Sequence, residues 1–338
     1  MLAVRLNSTT YPVEPAERAT LEAVGARVLN IEGQQPAEIL AAARDCDALL
    51  VVSSKVPAEV IEQLTRCRVI SRLGAGTDRI DVEAATHRGI VVANVPDFCV
   101  NEQAEHTVAL LLGWVRRLPY MVDAMRRGEW TARQHSGVHR LAGQTVGLVG
   151  FGASAQGVAA RLAPFGVRLQ AWARNPAKAR AIAETLGVQL VGFDQLLAES
   201  DFVSLHLPLT PETRGLLGGQ QLGRMKPTAV LINTSRGAII DEAALVAALE
   251  SGRLGGAALD VFDGIDVFAL PGPPPDHPLL KLENVLCTPH CAGSSVESSR
   301  DSKARGARNA ALVLQGHKPG SIVNPEVVPR GGPLTNAP

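Results

Sequence analysis

The chain has 338 residues, enough for two domains, and its 33 basic and 33 acidic side chains leave no net charge. A neutral chain gives no electrostatic reason to expect a nucleic acid or an acidic membrane surface as partner. No apolar run approaches the roughly 18 residues of a membrane span, and the N-terminal residues lack the organisation of a signal peptide. We therefore expect a cytoplasmic protein.

The first hundred residues alternate strand and helix signals. Short apolar runs between helices are typical of a parallel sheet that is covered on both faces. A long apolar helix is predicted at 101–117, and Pro119 should end or kink it. Strands are predicted at 3–6, 48–52, 69–70 and 90–93, and shorter helices at 17–24 and 57–66.

The segment 145–162, TVGLVGFGASAQGVAARL, combines a short apolar strand, a glycine turn and a helical pattern. Gly150, Gly152 and Ala155 take the three key positions of a G-x-G-x-x-A turn. Glycines let the backbone approach a pyrophosphate, and the helix that follows offers free N–H groups and the positive end of its dipole. The pattern predicts a dinucleotide site; a tight turn without a ligand is the alternative.

Because this turn lies near the middle of the chain, we predict that the nucleotide domain is inserted into another domain. Further strands are predicted at 146–149, 169–172, 202–206, 229–233, 256–259 and 285–287, with a helix at 242–250. The predicted class is α/β, with two Rossmann-like doubly wound parallel sheets. Residues 100–290 would form the NAD(P)-binding domain, and residues 1–99 with 291–338 a flavodoxin-like substrate domain. A helix is expected at 294–314, and the Pro/Gly-rich tail at 323–338 should be loose.

The five cysteines are odd in number, scattered and without a C-x-x-C pair, which indicates reduced thiols. Cys287 and Cys291 flank His290, but no further ligand cluster lies nearby in the sequence. We therefore predict no metal site.

Several blocks together resemble the D-isomer-specific 2-hydroxyacid dehydrogenase family, from Ile70 to about Asn324. They are SRLGAGTDRIDVEAATHRGIVVANVPDFCVNEQAEHTVALLLG, the glycine turn, LHLPLTPETRGLL, INTSRGAIIDEAALVAALESG, GAALDVF and NVLCTPHCAG, in the order of the family. The resemblance implies a two-domain enzyme that transfers a hydride between NAD(P)H and a small 2-keto or 2-hydroxy acid. It also implies a homodimer joined through the nucleotide-binding domains.

Two side chains carry the expected chemistry. Arg236, in NTSRG, can bind carboxylate and ketone oxygens with a fork of donors and keeps its charge. His290, in TPH, matches the acid–base histidine of the family, and histidine is the residue type best suited to exchange a proton near neutral pH. The alternatives are a surface arginine and a structural histidine.

The resemblance implies a third group, a glutamate paired with the histidine, but its position is occupied by Ile265. The surrounding segment is proline-rich and longer than is usual in the family. Our hypothesis is that Asp266 replaces the glutamate, with Asp263 next in line. In the alternative neither aspartate does so, and both are solvated.

The cofactor expectation rests on the end of the second nucleotide strand. An acidic residue there would bind the ribose hydroxyls of NAD, but this chain has Ala173 followed by Arg174, so we predict that NADP(H) is preferred over NAD(H). In the alternative Arg174 stacks on adenine or faces solvent. The predicted cofactor-binding residues are Gly150, Gly152, Ser154, Ala155, Arg174, Asn175, Pro208, Thr213, Thr234, Ser235 and Asp260, of which Asp260 has a structural cap as its alternative.

The substrate carboxylate is expected at the backbone N–H groups of Leu73, Gly74 and Ala75, which the resemblance identifies as the substrate loop. A plain turn is the alternative. Beside the enzyme, a second function remains open. The block PDFCVNEQAEH is similar to the transcriptional corepressor branch of this fold, so a nucleotide-sensing binding protein with little turnover is the other candidate.

Overall fold

The computed structural model describes residues 1–129, 138–266 and 275–337. The chain forms two compact units, one of Met1–Phe98 with Ser295–Pro338 and one of Cys99–Ser294. The second unit therefore interrupts the first in the sequence. Among the described residues, no helix has both the length and the apolar character needed to cross a membrane.

The twelve strands found in the described residues belong to two parallel sheets. They are β1 (Leu2–Arg5), β2 (Arg27–Asn30), β3 (Ala48–Val51), β4 (Val69–Arg72), β5 (Val91–Ala93), β6 (Thr145–Val149), β7 (Arg168–Trp172), β8 (Val188–Leu190), β9 (Phe202–Leu205), β10 (Val230–Asn233), β11 (Gly256–Leu259) and β12 (Val285–Cys287). The helices of the described residues are α1 (Pro15–Glu22), α2 (Pro36–Ala43), α3 (Ala58–Ile61), α4 (Val82–His87), α5 (Val100–Val115), α6 (Leu118–Arg126), α7 (Ala153–Leu162), α8 (Pro176–Thr185), α9 (Phe193–Glu199), α10 (Gly219–Leu222), α11 (Glu242–Glu250) and α12 (Val296–Leu314).

The first unit has the strand order β2-β1-β3-β4-β5, which is the flavodoxin-like order. Side chains of β3 alternate between the two faces of the sheet, as a strand requires. Leu49 and Val51 join the core beside α2 and α3, whereas Ala48 and Leu50 pack with Ala307 and neighbouring residues of α12. Both faces of this sheet are therefore covered.

The second unit has the order β12-β11-β10-β9-β6-β7-β8. Read from β8, this is the doubly wound order of dinucleotide folds with one further strand, and the order reverses between β6 and β9. Ligands of such sheets bind beyond the carboxyl ends of the strands at that reversal. The predicted fold class is confirmed.

The helix predicted at 101–117 ends before Pro119, as expected. Helix α5 ends at Val115, Arg117 takes a left-handed conformation with φ 51°, and Pro119 lies in the first turn of α6. Proline suits a first helical turn, where no partner is needed for the missing N–H. Pro119 therefore lies at the start of a second helix, and the left-handed Arg117 separates the two helices.

Three expectations were wrong or incomplete. The helix predicted at 57–66 spans only Ala58–Ile61, and the strands β2 and β8 were not predicted. The tail is also not loose in its described part, because Arg330 donates hydrogen bonds to the carbonyl oxygens of Leu64, Thr65 and Arg88. The Asn324 side chain, 1% exposed, donates to the carbonyl oxygen of Ile90 at 3.0 Å. Composition could not reveal these contacts, since their partners lie more than 200 residues away in the sequence.

Candidate active site

The glycine turn follows β6 directly, and glycine is present at its two positions for different structural reasons. Gly150 has φ 92°, and a Cβ atom there would lie 2.5 Å from the carbonyl oxygen of His206. Gly152 has an ordinary φ and precedes α7, and a Cβ atom on it would meet no atom within 4 Å. Ala155 is fully buried against the sheet. A side chain at position 150 would clash with the backbone of His206, so the fold requires glycine there. Gly152, by contrast, leaves open space at the start of a helix.

His206 lies beside this turn, and sequence reasoning missed it. Its Nδ1 is 3.3 Å from the hydroxyl of Ser154, and its Nε2 is 2.9 Å from the hydroxyl of Ser204. His206 is partly buried as a residue, and desolvation lowers the pKa of its imidazole to about 4. The ring is therefore neutral at physiological pH and links β9 to the first turn of α7. Its place directly after β9 was the only sequence signal.

The far end of the expected cofactor site is formed after β7. Arg174 is exposed, and the side-chain oxygen of Asn175 accepts the N–H of Lys178 at 3.2 Å, so Asn175 caps α8. Glu212 lies close enough to Arg174 for its charge to matter. The pKa of Glu212 is lowered chiefly by the hydroxyl of Thr210, and Arg174 adds a smaller lowering effect.

The residues predicted after β9 and β10 use their hydroxyls within the protein. Thr213 donates to the carbonyl oxygen of Pro208 at 2.7 Å, which closes that turn. The hydroxyl of Thr234 lies 3.0 Å from that of Thr107, and Ser235 donates to the carbonyl oxygen of Leu205 at 2.7 Å. These bonds fix the loops, and direct cofactor contacts by Pro208, Thr213, Thr234 and Ser235 stay predictions.

Helix α5 supports the loop that carries Arg236. The side-chain amide of Gln103 donates to the carbonyl oxygen of Thr234 at 2.8 Å. The Arg236 guanidinium donates to the carbonyl oxygen of Ser235 at 2.8 Å. Gln103 was not expected in this role, because no local pattern connects residues so distant in the sequence.

Asp260 organises the loop that carries His290. Its fully buried carboxylate accepts the hydroxyl of Thr288 at 2.6 Å and the N–H groups of Cys291 and Ala292 at 2.9 and 2.8 Å. The N–H of His290 donates to the backbone oxygen of Asp260 at 2.8 Å. These contacts support the structural alternative for Asp260, and its contact with the nicotinamide carboxamide stays a prediction.

His290 itself has a left-handed backbone, with φ 56°. Such a conformation costs a non-glycine residue on the order of 1–3 kcal/mol and is concentrated at functional sites. The bonds from Asp260 hold the loop in this strained form. The imidazole is partly exposed, so it is accessible for proton transfer.

Three strand ends place these residues on one edge of the sheet. Arg236 follows β10 by three residues, Asp260 directly follows β11, and His290 follows β12 by three residues. Because β10, β11 and β12 are neighbours in that order, Arg236 and His290 leave the sheet two strands apart, which is roughly 10 Å. That separation leaves room for a small substrate.

The possible partners of His290 lie on the segment after β11. Asp263 is exposed, lies 3.9 Å from Arg214, and donates its backbone N–H to Glu242 at 2.7 Å. Asp266 is exposed and directly precedes residues 267–274, which lie outside the described residues. Asp263 and Asp266 both stay candidate partners of His290.

Among the described residues, one cluster consists of side chains of the types that bind metal ions. Atoms of His106, Asp260 and Cys291 lie within 4.8 Å of one another. The Asp260 oxygens are already engaged by hydrogen bonds from residues 288–292, and His106 lies 3.0 Å from the hydroxyl of Thr288. A cation would have to displace this network, so the absence of a metal stays our prediction.

The expected substrate loop belongs to the first unit and follows β4. The N–H of Leu73 donates to the carbonyl oxygen of Val51 at 2.8 Å, so it extends the sheet and is not available to a ligand. The predicted carboxylate contact therefore rests on Gly74 and Ala75. A Cβ atom on Gly74 would lie 2.5 Å from the guanidinium of Arg72, a cation that sequence reasoning passed over. Arg72 also lowers the pKa of nearby Tyr11, which burial raises overall.

Comparison with known proteins agrees with the strand order and the glycine turn of the second unit. Residues 108–292, more than half of the chain, match the model of the NAD binding domain of D-isomer specific 2-hydroxyacid dehydrogenases. A D-3-phosphoglycerate dehydrogenase of Methanocaldococcus jannaschii is 38% identical over 323 residues, 95% of this chain and 60% of that protein. A glyoxylate reductase of Korarchaeum cryptofilum is 40% identical over 294 residues, 86% of each protein.

A solved acyclic imino acid reductase, in complex with NADPH and D-Arg, superimposes with a TM-score of 0.84 at 27% identity and covers 96% of this chain and 100% of its own. This chain spans about 60% of the length of the phosphoglycerate dehydrogenase above. The glycine turn, the strand order and the sequence matches lead to one conclusion: the chain belongs to the D-isomer-specific 2-hydroxyacid dehydrogenase family.

Proposed function

We propose that the protein is an oxidoreductase that interconverts a small 2-keto acid and the corresponding 2-hydroxy acid with a nicotinamide cofactor. The observation that carries the proposal is the common edge at which Arg236, Asp260 and His290 leave β10, β11 and β12. The relatives named glyoxylate reductase and D-3-phosphoglycerate dehydrogenase support the same reaction class.

The cofactor fits the second unit. Gly150 brings the backbone against β9, and Gly152 leaves space before α7 where a pyrophosphate meets free N–H groups. The nicotinamide, when bound, supplies or accepts the hydride. The Arg236 guanidinium binds the substrate carboxylate and polarises the ketone. His290 donates a proton to the developing alkoxide and takes it back in the oxidation.

NADP(H) is the proposed preferred cofactor. Arg174 is exposed after β7 and can receive a 2′-phosphate, and Ala173 presents no carboxylate to repel it. Glu212 is the nearby opposing charge. That the imino acid reductase was solved with NADPH is consistent with this preference.

Asp266 is the proposed partner of His290. A carboxylate near an imidazole favours the protonated form, so it keeps the proton donor charged to higher pH. Replacing Asp266 with Asn should therefore shift the fall in keto acid reduction to lower pH. The pH dependence of kcat/KM measures this, and a profile unchanged in D266N would contradict the role of Asp266.

We also propose that the protein is a homodimer whose two copies meet through the second unit. Its proposed location is the cytoplasm. Leu118, Val122 and Met125 follow one another at helical spacing on α6 and are 53%, 46% and 48% exposed. Beside this helix, a cavity of about 540 Å³ is lined by Trp114, Tyr120 and neighbouring side chains. We infer that a second copy of the chain covers this apolar surface.

One observation favours a second function. Ile265 occupies the position of the family glutamate, so a nucleotide-sensing protein that binds the cofactor with little turnover is the second candidate. A panel of 2-keto acids, each tested with NADPH and NADH, decides between the two. Oxidation of either cofactor by any keto acid supports the enzyme, whereas cofactor binding without turnover across the panel supports the sensor.

A further inference from the structure

Glu242, the first residue of α11, binds two segments that come later in the chain. One carboxylate oxygen accepts the backbone N–H of Asp263 at 2.7 Å, and the other lies 3.0 Å from Nε2 of His277. Both side chains are largely buried, with 16% of Glu242 and 13% of His277 exposed. We call this pair the Glu242–His277 bridge.

The hydrogen bonds define the tautomer of His277. Its Nδ1 accepts the N–H of Leu279 at 3.3 Å, so Nδ1 carries no proton. The ring proton is therefore on Nε2 and is donated to Glu242. The edge of the ring meets Phe262, with centroids 5.7 Å apart, and a Cβ atom on Gly264 would lie 3.4 Å from the ring. The imidazole thus packs on the backbone that leads from Asp260 to Asp266.

The same segment touches the loop of Arg236. A Cβ atom on Gly237 would lie 2.1 Å from the backbone carbon of Phe262 and 2.3 Å from the nitrogen of Asp263. Only glycine permits this approach of the two backbones. The Arg236 loop, the Phe262–Gly264 backbone and the bridge therefore form one packed junction, three residues before Asp266.

We propose that Glu242 and His277 are positioning residues that hold the segment 262–266 against the Arg236 loop and thereby present Asp266 to His290. This rests on the proposed dehydrogenase function. Neither residue touches the substrate in this account. Their effect is orientation, to which catalysis is sensitive: a displacement of about 1 Å can cost roughly 100-fold in rate.

Two substitutions of His277 separate its two hydrogen bonds. One is the bridge to Glu242, and the other, which we call the cap, is the bond that Nδ1 accepts from the N–H of Leu279. Asn places an acceptor near the position of Nδ1, so H277N keeps the Leu279 contact and loses the bridge. Gln places an amide N–H near the position of Nε2, so H277Q keeps the bridge and loses the cap. We expect H277N to lower kcat at least tenfold, with unchanged cofactor affinity, and H277Q to stay within about threefold of wild type. His87→Asn, at an exposed His–Glu pair on α4, is the control and should change nothing.

The link to Asp266 is tested by the pH profile and by a double variant. H277N should shift the pH dependence of kcat/KM in the same direction as D266N, and the H277N/D266N double variant should be little worse than either alone. Equal losses in H277N and H277Q, or losses in H277N and D266N that multiply, would overturn the proposal.

Failure of the proposed dehydrogenase function can be distinguished from failure of the bridge. If wild type turns over no keto acid, the dehydrogenase proposal fails, and hydrogen exchange still tests the bridge. Faster exchange of the Asp263 amide in H277N than in H277Q would support the bridge. Equal exchange in the two variants would refute it.

Discussion

The proposed preference for NADPH over NADH depends on one exposed side chain, the guanidinium of Arg174. Replacing it with Ala removes charge-assisted hydrogen bonds to a 2′-phosphate, each worth about 1.5–3 kcal/mol, or roughly 10- to 100-fold in affinity. We expect the Kd for NADPH to rise by that factor in R174A and the Kd for NADH to change little. Titration of cofactor fluorescence measures both constants.

Arg180 provides the matched control for this prediction, since it is an exposed arginine on the adjoining helix α8. Arg180→Ala should leave both dissociation constants unchanged. A wild-type protein that binds NADH more tightly than NADPH would contradict the assignment of Arg174.

His206 makes stability depend on pH. Desolvation lowers its pKa to about 4 in the folded protein, against 6.5 in the unfolded chain, so the unfolded chain binds more protons between these values. This contribution is fully present above pH 6.5 and is lost as the pH falls towards 4. It amounts to roughly 3 kcal/mol.

The prediction is that His206→Asn makes the free energy of unfolding less dependent on pH between 7.5 and 4.5. All three tryptophans of the chain, Trp114, Trp130 and Trp172, fall within Cys99–Ser294, so tryptophan fluorescence in denaturant follows this unit. His139→Asn, an exposed histidine of the same unit, is the control. Parallel pH dependence in wild type and H206N would contradict the prediction.

For individual residues, the sequence pointed to those that lie within motifs. It missed those that are recognised only by hydrogen bonds to distant parts of the chain. The positions of Arg236 and His290 after β10 and β12 could be predicted, because strand signals precede both residues, and their chemical roles stay predictions. Gln103 and His206 could not, because each is identified by hydrogen bonds to residues about 50 or more positions away. Leu73 shows the reverse error: its motif suggested a free N–H, but that group extends the sheet.

The turn between β6 and α7 is the element whose geometry most directly tests cofactor binding. A Cβ atom on Gly152 meets nothing in the protein, so Gly152→Ala should fold with wild-type stability. The added methyl group would occupy the space expected for the pyrophosphate. We therefore expect the Kd for either cofactor to rise at least tenfold, measured by calorimetry, without a change in Tm.

Gly192 is a control of the same geometry. It too precedes a helix, α9, has φ −67°, and a Cβ atom on it meets nothing within 4 Å. Gly192→Ala should change neither Tm nor cofactor affinity. Wild-type affinity in G152A would exclude the turn as the pyrophosphate site.

Element bounds were predictable where apolar runs were continuous. The predicted strands 256–259 and 285–287 match β11 and β12 residue for residue. Strand β8 escaped detection because only Val188 of its three residues is buried, so it lacks the apolar run that marked the others. At the edge of the sheet, pairing with β7 supplies what local sequence does not.

At the scale of the whole molecule, the central glycine turn made the interruption of the first unit predictable, but nothing in a single sequence shows which surface meets a partner. The stripe of Leu118, Val122 and Met125 on α6 became visible only from its exposure. If a second copy covers it, a charge placed there would have to lose water on association, which costs several kcal/mol. Each 1.4 kcal/mol weakens association tenfold.

We therefore expect wild type to sediment as a dimer and the double variant Val122→Glu/Met125→Glu as a monomer at the same micromolar concentration. Val296→Glu, at an 82% exposed valine on α12 in the first unit, introduces the same charge elsewhere and should leave the dimer intact. Because none of the predicted cofactor-binding residues lies on α6, the monomer should retain its affinity for NADPH. A monomeric wild type, or a double variant that stays dimeric, would show that α6 is not the contact between subunits.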